Sequence, residues 1–123
     1  MEPAIGSGQL PTRWATGGDA RYLDALMRDG QDLWAVELKI RSGGAGQYLR
    51  HGVGQVVLYR EFIREATPLH PYLSQSGAKP SSCRAAVAFP HLSGSDAASR
   101  TRDVEALGEL FDVEVLLLDA RAL

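Results

Sequence analysis

The chain has 123 residues, 45% of them hydrophobic and 23% charged, with a formal net charge of −2. That length fits one domain with its own core and excludes two ordinary ones, and the composition excludes a disordered chain. One cysteine, Cys83, excludes a disulfide framework, a four-cysteine zinc site and a cysteine-ligated iron–sulfur cluster. The 13 basic residues are almost all arginine, and only Lys39 and Lys79 are lysine. No apolar run approaches the ~20 residues that span a bilayer, and the start has no secretory pattern. A cytoplasmic protein with no membrane partner is therefore expected.

Residues 1–9 are rich in Gly and Ser and are expected to be disordered, leaving residues 10–123 as a single domain. Leu10 to Thr16 forms a candidate short strand around Trp14, closed by Gly17-Gly18. Tyr22 to Ile40 reads as a hairpin, with Asp29-Gly30 as the favoured two-residue turn. After the Gly-rich loop 42–46, the apolar stripe Leu49, Val53, Val56, Val57, Phe62 predicts a helix over Gln47–Glu65. Residues 66–82 hold three of the six prolines and are expected to be loop. Cys83–Phe89 predicts a buried strand ended by Pro90. Ser95-Asp96 would cap a helix running to about Leu110, and Asp112–Asp119 is a last apolar strand. The order predicts an α/β fold, a mixed sheet with helices packed on it.

Chemistry concentrates in the hairpin. Strand side chains alternate between faces, so Glu37 and Lys39 point the same way as Leu33 and Ala35. With Asp29-Gly30 at the centre of the turn, Asp24 lies opposite Ala35, on the face of Glu37. A one-residue slip would put it on the other face. Two neighbouring carboxylates repel unless a cation lies between them, and oxygen ligands without His or Cys suit magnesium first and manganese second. A lysine beside such an ion can hold a water and offset charge building on a phosphate. Arginine cannot handle the proton. The competing reading is a structural Glu37–Lys39 ion pair at the sheet edge.

Leu23-Asp24 and, after twelve intervening residues, Glu37-Leu38-Lys39 resemble the signature of the PD-(D/E)XK nuclease superfamily. Gln55-Val-Val-Leu-Tyr59 resembles the Gln-x-x-x-Tyr helix motif of its RecB-like branch. The resemblance implies a restriction-endonuclease-like mixed sheet with flanking helices, here with the first core helix reduced or missing. It implies a magnesium- or manganese-dependent endo- or exodeoxyribonuclease. Asp24, Glu37 and the Leu38 carbonyl would be metal ligands, Lys39 would assist the attacking water, and Gln55 would orient that water or the lysine. The partner would be nucleic acid, DNA first, with a homodimer or a further domain covering the missing helix. The alternative is an inactive nucleic-acid- or protein-binding domain of the same fold. For Gln55 the alternative is a polar residue on the solvent face of its helix.

Charge distribution agrees with a polyanionic partner. Arg41 to Arg84 carries a local balance of +4, and Asp96 to Leu123 one of −4. Arg41 and Arg50, flanking the Gly-rich loop, are the preferred nucleic-acid contacts, with Tyr59 as a third. Cys83 and Trp34 are expected in the core, and His51 and His70 are assigned to no metal. A small ligand-binding α/β domain has little support, because Ser42-Gly-Gly-Ala-Gly46 lacks the Lys-Ser/Thr ending of a P-loop.

Overall fold

A computed structural model describes residues 2–3, 25–39, 45–75, 77–90 and 94–118, with only the backbone of 2–3 and 45–49. The expected strand around Trp14 lies outside them, as does any first helix. The elements run β1 (Glu2–Pro3), β2 (Ala25–Asp29), β3 (Asp32–Leu38), α1 (Ala45–Glu65), α2 (His70–Leu73), β4 (Arg84–Pro90), α3 (Ala97–Phe111) and β5 (Val113–Leu118). The sheet order is β1-β2-β3-β4-β5, antiparallel from β1 to β3 and parallel from β3 to β5. The α/β mixed sheet with flanking helices is thus as the element order predicts.

Three local readings change. Glu2–Pro3, expected to be disordered, pair with Arg28 and Met27 as a two-residue edge strand. The hairpin turns at Gly30-Gln31 rather than Asp29-Gly30, because Asp29 pairs with Asp32. Gly30 has φ +62°, and among the described non-glycine residues only Asp112 also has positive φ. This is the pattern of a type II′ turn, which needs glycine only at its first central position. The pairing therefore slides by two residues, from Asp24 opposite Ala35 to Leu26 opposite Ala35. An even slide keeps every side chain on its face. In the segment expected to be loop, Thr67–Leu69 and Pro80–Ser82 form 3-10 turns around α2. Proline sits in the first turn of each of these three short helices, where its missing N–H costs nothing.

α1 follows β3 and α3 follows β4, and the two helices touch each other over one face of the sheet. Leu33, Ala35, Val87 and Phe89 meet Val53, Val56, Tyr59 and Ile63 of α1 there. On the other face Trp34, Val36 and Ala86 form a smaller cluster, and the Arg84 guanidinium stacks 4.4 Å above the Trp34 ring. Cys83 is fully buried, as expected. Burial pushes its thiol up to about 12, so it is protonated and inert at neutral pH. Among the described residues no helix is long and apolar enough to cross a membrane.

Close approach of α3 to β5 depends on Gly108. A Cβ there would lie 2.7 Å from the Val113 carbonyl oxygen and 2.8 Å from Val115 Cγ2. The backbone oxygen cannot turn aside, so Gly108→Ala must lift the helix. The overpacking costs about 1–3 kcal/mol and outweighs the ~1 kcal/mol that alanine gains in a helix. Urea denaturation should show a lower midpoint for Gly108→Ala, not a higher one.

Candidate functional site

The site is built where β3 ends against α1. β3 is an interior strand, hydrogen-bonded to β2 on one side and β4 on the other, with Glu37 in register with Val87. Its middle five residues are all buried, as an interior strand covered on both faces requires. Glu37 is the last of them and is only 5% exposed, on the α1 face that Leu33 and Ala35 share. Lys39 continues the ladder through its backbone N–H, which donates to the Ala88 carbonyl at 2.8 Å.

Burying a carboxylate at that depth is costly unless a cation compensates it. Lys39 supplies the cation. Its Nζ lies 3.3 Å from Glu37 Oε1, and its side chain is 11% exposed. The same Nζ donates a 2.8 Å hydrogen bond to Gln55 Oε1 on α1. Three residues from two segments, 16 positions apart at their widest hydrogen bond, thus meet in one part-buried cluster. Gln55 is not on a solvent face of its helix. β3 has a neighbour on each side through Val36, and at Glu37 it still pairs with Val87 of β4, so the ion pair lies at the end of an interior strand.

Comparison of the chain with family models, with curated proteins and with solved structures found no match. The cluster's meaning therefore has to come from its own chemistry. A carboxylate, an ammonium and an amide oxygen together can bind a hard cation, hold a water and move a proton. Among the described residues no three His, Cys, Asp or Glu side chains gather to hold a metal.

The other expected site residues divide. Asp24 and Arg41 lie outside the described residues. Leu38, exposed at the end of β3, is next to the cluster in sequence. Tyr59 was expected to touch nucleic acid, but it is 2% exposed and packs in the main core. It follows Val56 by three residues, so the apolar stripe of α1 carries it inward. Arg50, which flanks the Gly-rich loop next to Lys39, was expected to contact nucleic acid. It is exposed, but it lines an apolar groove with Val57, Leu58, Leu107 and Phe111. Five residues before Gln55, it lies about 140° round the helix from it.

One residue of the cluster was not anticipated. Gly52, one turn before Gln55, is buried beneath the Lys39 side chain. The available signal was a glycine inside a strongly predicted helix, which weakens the helix unless packing requires it.

Proposed function

We propose that the chain is a metal-dependent nuclease domain of the PD-(D/E)XK type, hydrolysing phosphodiester bonds, with DNA as the first substrate to test. The observation that carries this reading is the meeting of Glu37, Lys39 and Gln55 within hydrogen-bond and ion-pair reach. Glu37 and Lys39 carry the Glu-x-Lys resemblance and Gln55 opens the Gln-x-x-x-Tyr one, on two separate segments of the chain. The order of two antiparallel strands, then a helical crossover to a parallel strand, supports it as well.

The donors present fit magnesium or manganese in kind. The Glu37 carboxylate and the Leu38 carbonyl are hard oxygen donors, and Asp24 would complete the set. When bound, such an ion would acidify water and offset charge on the phosphate. The chain's own part follows from the geometry. Glu37 fixes the place of the positive charge, and Gln55 accepts from the Lys39 ammonium and holds it in one orientation. Lys39 is then set to hold the attacking water and to meet the negative charge that grows on the phosphate oxygens. A lysine suits this role because it can give up its proton.

The test is a screen of the purified chain on single- and double-stranded DNA and RNA, with magnesium or manganese. Cutting of DNA that EDTA stops is the expected result. Binding of DNA without cutting under any metal would favour an inactive binding domain of the same fold.

A further inference from the structure

Beyond Gly46 in its first turn, α1 carries Gly52 and Gly54, two positions apart, and each costs about 0.8–1 kcal/mol of helix propensity relative to alanine. Their surroundings differ sharply. A Cβ on Gly54 would meet nothing within 4 Å. A Cβ on Gly52 would lie 3.1 Å from Lys39 Cε, 3.2 Å from Lys39 Cγ and 3.1 Å from Val87 Cγ2. Two atoms of the lysine stem therefore lie close enough that a methyl at position 52 would make them, or Val87, give way by a few tenths of an ångström. Val87 closes the remaining side, fully buried and paired in register with Glu37.

We propose that Gly52 is a positioning residue for Lys39: its missing Cβ lets the lysine stem cross α1 and bring Nζ between Glu37 and Gln55. The inference builds on the proposed place of Lys39 in the site with Glu37 and Gln55. Gly52 and Gln55 are three apart on one helix face, so a single turn supplies both the floor under the stem and the acceptor at its tip. The neighbours of an added methyl can give way in two ways. Val87 sits in a packed core and resists displacement, whereas the flexible lysine stem can shift and carry Nζ away from Glu37 and Gln55. The methyl should therefore act on Lys39 first.

The two glycines make a matched experiment. Alanine and valine are placed at position 52 and, separately, at position 54 of the full chain. The chain has two lysines, so lysine labelled with ¹³C and ¹⁵N gives two sets of side-chain signals, with Lys79 as internal reference. Gly52→Ala should shift the Lys39 Nζ and Cε signals and Gly52→Val should shift them further. The position-54 variants should leave them where they are. Cutting should fall about 3- to 10-fold in Gly52→Ala and further in Gly52→Val, but stay within about twofold in the Gly54 variants. If Gly52→Ala does not fold, adding Val87→Ala removes the valine contact and leaves the lysine against the new methyl. Lys39 signals that do not move in the folded Gly52 variant overturn the inference. Signals that move in a protein that cuts no substrate support the positioning role and end the nuclease reading alone.

Discussion

Lys39→Ala should lower metal-dependent DNA cutting at least about a hundredfold, the scale on which removing one transition-state donor acts. The same change leaves Glu37 buried without the ammonium 3.3 Å away, so it also costs stability, about 3 kcal/mol. Loss of activity alone would therefore be ambiguous, and Lys39→Arg separates the causes. Arginine keeps a cation beside Glu37 but cannot release a proton at any working pH. If Lys39 handles the proton, Lys39→Arg is as inactive as Lys39→Ala while unfolding close to the wild type in urea. If the pair is only structural, Lys39→Arg cuts like the wild type. Initial rates on a labelled DNA substrate, paired with urea midpoints, distinguish the two.

A comparably large effect on stability is expected at Arg60. α3 ends at Asp112 in the left-handed conformation, φ 56°, with the Asp112 N–H turned back to the Gly108 and Glu109 carbonyls. The carbonyls of Phe111 and Asp112 are taken up from α1, where Arg60 Nη1 donates to them at 2.8 and 2.9 Å. Arg60 is 7% exposed, and its Nε meets Glu61 Oε1 at 3.0 Å. A buried guanidinium thus caps the neighbouring helix, where its charge also complements the helix dipole. Arg60→Met keeps much of the volume and removes the donors. With each bond to a charged group worth about 1.5–3 kcal/mol, the variant should lose about 3 kcal/mol. In a domain with ~5–15 kcal/mol in all, that is a large share. Arg60→Lys should fall between the wild type and Arg60→Met, because one ammonium can reach the carbonyls but cannot also meet Glu61 as the separate Nε does. Cutting by the folded variant should be unchanged, since Arg60 is not part of the Glu37 cluster.

The fold was legible where apolar periodicity is strong. β3, α1, β4, α3 and β5 all fall within two residues of their expected bounds. The hairpin was legible in place but not in register. Asp29-Gly30-Gln31 contains both an Asp-Gly pair and a Gly-x pair, and turn chemistry alone does not choose between them. The helical pieces at 67–73 were hidden because proline reads as a breaker, although it is welcome in a first turn. The N-terminal edge strand was hidden for another reason. Two residues are too few for a pattern, and their pairing depends on β2.

The site was legible in part, and the part differs by mechanism. The shared face of Glu37 and Lys39 follows from strand alternation, and their 3.3 Å pair agrees with it. The approach of Gln55 is a tertiary fact that no local pattern contains, and only the motif resemblance pointed to it. That same motif drew Tyr59 toward the nucleic acid, against the apolar stripe that places it in the core. Arg50 was chosen because it flanks the Gly-rich loop, but α1 turns it to the groove shared with α3. Gly52 stayed unseen because a glycine's use lies in what occupies the space it leaves.

The proposed nuclease centre stands on Glu37, Lys39 and Gln55. The most direct measurement compares the wild type with Glu37→Gln, purified in parallel, on labelled DNA with magnesium, with manganese and with EDTA. The wild type should cut with either metal and stop with EDTA, and Glu37→Gln should not cut at all. Equal cutting by the two proteins, or none by the wild type under any metal, would contradict it.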